Sequence, residues 1–162
     1  MRTNRFNTGK PFEHALEKIA AQYASRGLLS LRKVDPPLRY VGASIVHMAN
    51  PFTDFIGCWS ERGGRALFVE AKSTREPKLP VGKSGLTSAQ IDAMHCWSAA
   101  GAAAFLLWEC RGEVRLWSEA MIVDQTQNIR HLPYGFGLYV PAGQGWVLHD
   151  FLFVMRQLWP EK

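Results

Sequence analysis

The chain has 162 residues, 47% of them hydrophobic and 20% charged, which suits one folded domain with a buried core and is too apolar for a disordered tail. No apolar run reaches the roughly 18 residues of a membrane span, and the basic start Met1-Arg2-Thr3-Asn4-Arg5 lacks the apolar stretch of a signal peptide. The net charge of +5 is uneven: residues 1–86 hold 14 Lys/Arg against 7 Asp/Glu, and residues 87–162 hold 5 against 7. A basic N-terminal half suits a polyanionic partner, although solubility alone accounts for it equally well. Cys58, Cys96 and Cys110 are odd in number and form no CxxC pair, which argues against a disulfide frame or zinc site and fits a reducing cytoplasm.

Residues 1–10 read as a flexible basic arm and residues 11–162 as a single domain. Phe12, Ala15, Leu16, Ile19, Ala20 and Tyr23 recur at helical spacing, so a helix is expected over residues 11–26, opened by Pro11 and stopped by Gly27. Glu13 lies in its first turn, where an acid favours the helix dipole. Leu28–Val34 reads as a strand, and Tyr40–Met48 as a second extended stretch. Phe55–Trp59 and Ala66–Lys72, joined by a turn containing Gly63-Gly64, read as an antiparallel hairpin. Ser73–Gly85 reads as a polar loop carrying Arg75, Lys78 and Lys83. Thr87–Ala100 is a second long helix, with Thr87-x-x-Gln90 fitting a capping box. His95, in its middle, reads as a core or interface histidine. Ala102–Glu109 is continuously apolar, as for a strand covered on both faces. Val114–Trp117 returns from it, residues 119–123 suggest a short helix, residues 124–148 read as loop, and Asp150 caps a final helix over Phe151–Leu158.

The chemistry gathers in the hairpin. Glu70 and Lys72 are two residues apart in a strand, so they share one face at about 6–7 Å, while Leu67, Val69 and Ala71 line the other. Asp54 interrupts an otherwise apolar stretch at the start of the partner strand. The hairpin therefore brings two carboxylates and an ammonium together at its open end, a donor set for a hard divalent cation.

The ordered pattern is Glu13 on a helix, Thr53-Asp54-Phe55-x-Gly57, Phe68-Val69-Glu70-Ala71-Lys72-Ser73-Thr74, then Gln90 on the next helix. It resembles the PD-(D/E)xK nuclease superfamily and, more narrowly, the RecU-type Holliday junction resolvases. Asn4-Arg5 with Gly9-x-x-Phe12-Glu13, Leu79-Pro80 and Gly101–Leu106 extend the resemblance over most of residues 4–118. Thr53 stands where the superfamily has proline, and residues between Val34 and Asp54, where RecU enzymes carry a stalk, do not align clearly. The resemblance implies an α/β, restriction-endonuclease-like fold: a central mixed sheet flanked by helices on both faces. It implies a metal-dependent endonuclease that resolves four-way DNA junctions by paired symmetric cuts, leaving 5′-phosphate and 3′-hydroxyl ends, as a cytoplasmic homodimer. Asp54 and Glu70 would hold Mg²⁺ or Mn²⁺, with the Ala71 carbonyl and Glu13 completing the shell. Lys72 would activate water, and Gln90 would orient water or phosphate, a role that competes with its capping role. Arg2, Arg5, Lys10, Arg75, Lys78 and Lys83 are candidate contacts to the DNA backbone. Two alternatives stay open: a repair or restriction-type nuclease acting on duplex or flap DNA, and a non-catalytic DNA-binding protein with the same fold.

Overall fold

The computed structural model of the chain describes residues 9–35, 38–41, 44–47, 53–82, 85–126, 130–141 and 150–160. The stripe from Phe12 to Tyr23 winds into α1 (Gly9–Ser25) and is buried along its length. Gly27 follows at φ +68°, a left-handed conformation that stops the helix at little steric cost. Gly9 and Lys10 belong to the helix, so the arm expected over residues 1–10 is shorter than that at its inner end; residues 1–8 lie outside the described residues.

A six-stranded sheet forms the centre. In chain order its strands are β1 (Ser30–Lys33), β4 (Phe55–Trp59), β5 (Arg65–Thr74), β7 (Ala103–Cys110), β8 (Glu113–Ser118) and β10 (Leu138–Val140), and they lie side by side in that same order. β5 and β7 run parallel, joined by a crossover through α2 (Ser88–Ala99); every other neighbouring pair is antiparallel. The sheet is therefore mixed. Gly57 lets β1 approach β4, since a Cβ there would collide with the Ser30 carbonyl.

Alternation along β7 sorts the two faces. Ala103, Phe105 and Leu107 pack with Leu67, Val69 and Ala71 of β5 against α1 and against α4 (Phe151–Leu158). Ala104, Leu106 and Trp108 pack on the other side with Met94 of α2 and Ile122 of α3 (Glu119–Thr126). All eight residues of β7 are buried, as expected for a central strand covered on both sides. Asp150 caps α4 by accepting from the Phe153 N–H, and the same carboxylate accepts from the Tyr23 hydroxyl at 2.6 Å, tying the last helix to the first.

Four sequence expectations are corrected. The stretch Tyr40–Met48 is not one extended segment. β2 (Leu38–Val41) and β3 (Ser44–His47) are two strands that pair antiparallel with each other. Ser73–Gly85 is not wholly loop, because β5 runs to Thr74 and Lys78–Pro80 forms β6 against β9 (His131–Pro133). Residues 124–148 likewise contain β9 and β10, and α3 runs to Thr126. These strands are three residues long and owe their extension to partners far away in sequence, so no local periodicity marks them. His95 is not a core residue: its side chain is exposed and pairs with Glu119 at 2.7 Å.

Candidate active site

The β4–β5 register sets Phe55 opposite Val69. One step further out, Asp54 and Glu70 meet at the end of the hairpin. Ala71 N–H donates to Asp54 Oδ2 at 2.9 Å, which fixes the carboxylate against β5. Thr53 anchors the same strand end. Its buried hydroxyl donates to the Val69 carbonyl at 2.6 Å and lies 3.3 Å from the Phe55 carbonyl. A proline could not make these bonds, so the Thr53 hydroxyl adds a tether between β4 and β5 at the site.

Glu70 is 1% exposed. Its Oε1 accepts from Lys72 Nζ at 2.5 Å and from Gln90 Nε2 at 2.6 Å. Gln90 serves both of its expected roles at once. Its Oε1 accepts from the Thr87 backbone N–H at 3.0 Å and lies 3.1 Å from the Thr87 hydroxyl, while its own N–H donates to that hydroxyl. The capping box thereby occupies the amide oxygen and aims the amide nitrogen at Glu70. One side chain fixes the start of α2 and orients the carboxylate.

Burial pushes the Glu70 carboxyl up to about 8; the Lys72 ammonium opposes this and the neighbouring Asp54 carboxylate adds to it. Asp54 is also raised, first by burial, while Ala71 N–H and Lys72 pull it down. Glu70 Oε2 is buried and has no hydrogen-bond partner among the described residues. An orphaned carboxyl oxygen beside a second carboxyl group is an incomplete environment, and a divalent cation would displace the proton and complete it with the oxygen donors that hard cations prefer.

Glu13 is engaged by a lysine of β1. Its Oε2 is 2.7 Å from Lys33 Nζ, and it reaches Asp54 through space as a like charge that raises the Asp54 carboxyl. Among the described residues no three His, Cys, Asp or Glu side chains are gathered closely enough to hold a metal. The fit is thus a two-carboxylate site, which suits Mg²⁺ because that ion keeps several waters. The Ala71 N–H is engaged by Asp54. Lys10, Arg75 and Lys78 are exposed, whereas Arg2, Arg5 and Lys83 lie outside the described residues. Lys33 carried no sequence signal of its own, and the motif position of Thr53 did not reveal its tether. Lys33 reaches Glu13 only because β1 packs beside α1, and the Thr53 tether exists only in the β4–β5 pairing.

A mixed sheet with helices on both faces, carrying one carboxylate just before β4 and another within β5, has the restriction-endonuclease-like fold. Among solved structures the chain is similar to Hjc, a Holliday junction resolvase from the archaeal hyperthermophile Archaeoglobus fulgidus. The TM-score is 0.51 at 19% identity, covering 81% of this chain and 95% of that one. At that identity the likeness is one of fold. A second solved chain, SSO0001, is similar over 71% of this chain and 57% of its own, at 14% identity and a TM-score of 0.32, too low to carry an argument. No protein-family model matches the sequence, and no curated protein matches it. The likeness is to an archaeal resolvase, so the narrower resemblance to RecU-type enzymes is not supported.

Proposed function

We propose that the chain is a metal-dependent endonuclease that cuts four-way DNA junctions. The observation that carries this reading is the cluster where the start of β4 meets Glu70 and Lys72 of β5. Two carboxylates face each other, one of them buried with an unsatisfied oxygen, and Lys72 Nζ lies 2.5 Å from Glu70. Asp54 and Glu70 are the residues that would hold Mg²⁺ or Mn²⁺, and the cation would supply Lewis acidity toward phosphate and a lowered pKa for water. Lys72 uses one N–H on Glu70 and has two left, enough to position a water and to meet charge that develops on the phosphate. Gln90 and Ala71 hold the two carboxylates still, which keeps the site organised before substrate arrives. The basic N-terminal half draws the polyanion toward the carboxylates. Paired symmetric cuts need two such sites, so a C2 homodimer is the working assembly. Each cut leaves a 5′-phosphate and a 3′-hydroxyl, and junction shape rather than base sequence is read.

The test compares a synthetic four-way junction with linear duplex of the same sequence, both with Mg²⁺, using Glu70→Gln as control. Junction cleavage that the control lacks supports the proposal. Equal cutting of linear duplex points instead to a repair or restriction-type nuclease. Binding with no cleavage by the unaltered chain under any divalent cation leaves a DNA-binding protein that has kept only the fold.

A further inference from the structure

The sheet is covered unevenly on the face that carries Glu70 and Lys72. α2 and α3 pack there over β7 and β8, and their cover ends at β5, where Phe68 stacks on Trp97 with ring centroids 3.9 Å apart and planes 11° from parallel. Beyond it, β4 and β1 lie open. Ile56 is 44% exposed, and Cys58 is exposed as well. The pairing of β1, β4 and β5 arranges this open face in rows: Arg32, Ile56 and Phe68 form one, and Ser30, Cys58 and Ala66 the next. A cleft of about 570 Å³ lies over them, with Ser30, Arg32, Ile56, Cys58 and Phe68 in its walls.

Its position ties it to the carboxylates. Asp54 precedes Ile56 by two residues and Glu70 follows Phe68 by two, a step of about 6–7 Å on the same face of an extended chain. Arg32 closes the row at the β1 edge. It is exposed and makes no hydrogen bond or ion pair with the other described residues. Lys33, its neighbour, points to the opposite face and is engaged by Glu13. An uncommitted guanidinium beside a solvent-exposed isoleucine suits a ligand that is flat and apolar in one part and anionic in another. The open rows measure roughly 14 Å by 14 Å, about 200 Å², against the roughly 800 Å² that each partner contributes to a stable protein interface. The face is too small to hold a second copy by itself, whereas the cleft has the volume of a small-ligand site.

We propose that the cleft receives a nucleoside flanking the cut: an unstacked base lies on Ile56 beside Phe68, and Arg32 meets the phosphate on its far side. The inference rests on the nuclease reading and adds to it the feature that selects a branch point. A linear duplex keeps its bases stacked and paired, so filling the cleft from it costs both interactions. Bases at the exchange point of a four-way junction have lost a stacking neighbour, so they turn out at less cost. No sequence pattern marked Ile56, because an apolar residue in a strand reads as core until the sheet shows which face is left open.

The test places 2-aminopurine, a fluorescent adenine analogue, at the nucleotides next to the exchange point of a synthetic four-way junction. The junction is titrated in EDTA with the unaltered chain, Ile56→Ala and Arg32→Ala. The unaltered chain should raise the emission at one or more of these positions as the base unstacks, and at none in linear duplex. Ile56→Ala should lose that rise and bind the junction about fivefold more weakly, the low end of what stacking a base on a side chain contributes, with duplex affinity unchanged. Arg32→Ala should lower the slope of log K against log salt for the junction by about 0.9. Both side chains are exposed, so unfolding midpoints should stay level in the two variants. Unchanged emission with the unaltered chain overturns the proposal, as does equal loss of junction and duplex affinity in Ile56→Ala. So does sedimentation in which Ile56→Asp turns a dimer into a monomer, because a second copy then covers the face. Cleavage by the unaltered chain in Mg²⁺ is measured separately. If it cuts neither DNA while the emission still depends on Ile56, the nuclease reading falls and the cleft stands. If it cuts the junction without that dependence, the cleft alone is refuted.

Discussion

Replacing Glu70 with glutamine should make the metal-free protein more stable while ending its chemistry. Glu70 has an ordinary carboxyl value of 4.5 when unfolded and about 8 when folded. The folded state therefore binds the proton more tightly. That contribution is fully present below pH 4.5 and is lost as pH rises toward 8. Integrated to pH 7, the loss is about 3 kcal/mol. Glutamine keeps the oxygen that accepts from Gln90 and Lys72 and never has to ionise. The value of about 8 already includes the opposing pull of Lys72, so no separate ion-pair cost is subtracted. The gain of about 3 kcal/mol raises the melting temperature by roughly 6–12 °C for a chain of this size. The assay is thermal unfolding in EDTA between pH 5 and 8.5. The unaltered chain should lose stability toward high pH, whereas Glu70→Gln should show a much flatter profile. Mg²⁺ should restore the unaltered chain most at the alkaline end and change the variant little. Junction cleavage by the variant should fall on the order of 10²–10³-fold, the loss typical when a group that stabilises developing charge is removed. Parallel pH profiles, or a variant less stable than the unaltered chain at pH 8, would refute the reasoning that burial and Asp54 hold a proton on this carboxylate.

Thr53→Val keeps the shape but removes the hydroxyl that donates to the Val69 carbonyl; it should cost about 1–2 kcal/mol and lower cleavage through a loosened Asp54, read from denaturant midpoints beside kcat, and an unchanged midpoint would show that the tether contributes nothing. Thr87→Ala and Gln90→Ala separate the two jobs of the α2 cap. The first should cost about 1 kcal/mol with junction cleavage nearly kept, the second should cost stability and cleavage together because it also frees Glu70, and equal cleavage in both would show that the amide does not orient the carboxylate.

Periodicity was enough to reveal the long elements because their own side chains encode them. The α1 stripe, the Thr87 cap, the wholly apolar β7 and the Asp150 cap are all local patterns, and each appears where it was read. The carboxylate pair was legible for the same reason: a strand alternates its faces, and a Gly-Gly turn sets the register that puts Asp54 beside Glu70. Short strands β6, β9 and β10 were not legible, since each is held in place by a partner remote in sequence. The same is true of the ion pair between Lys33 and Glu13.

By itself, then, the sequence determined which residues could form a metal-binding hairpin, because spacing along one strand and across one turn is fixed by backbone geometry. Tertiary structure alone decided how those residues are held. Packing of α2 on β5 turned the Gln90 cap toward Glu70, packing of β1 beside α1 gave Glu13 to Lys33, and the pairing of β1 with β4 set Arg32 beside Ile56. Such contacts depend on where whole elements settle against one another, and no residue carries that information in its neighbours along the chain.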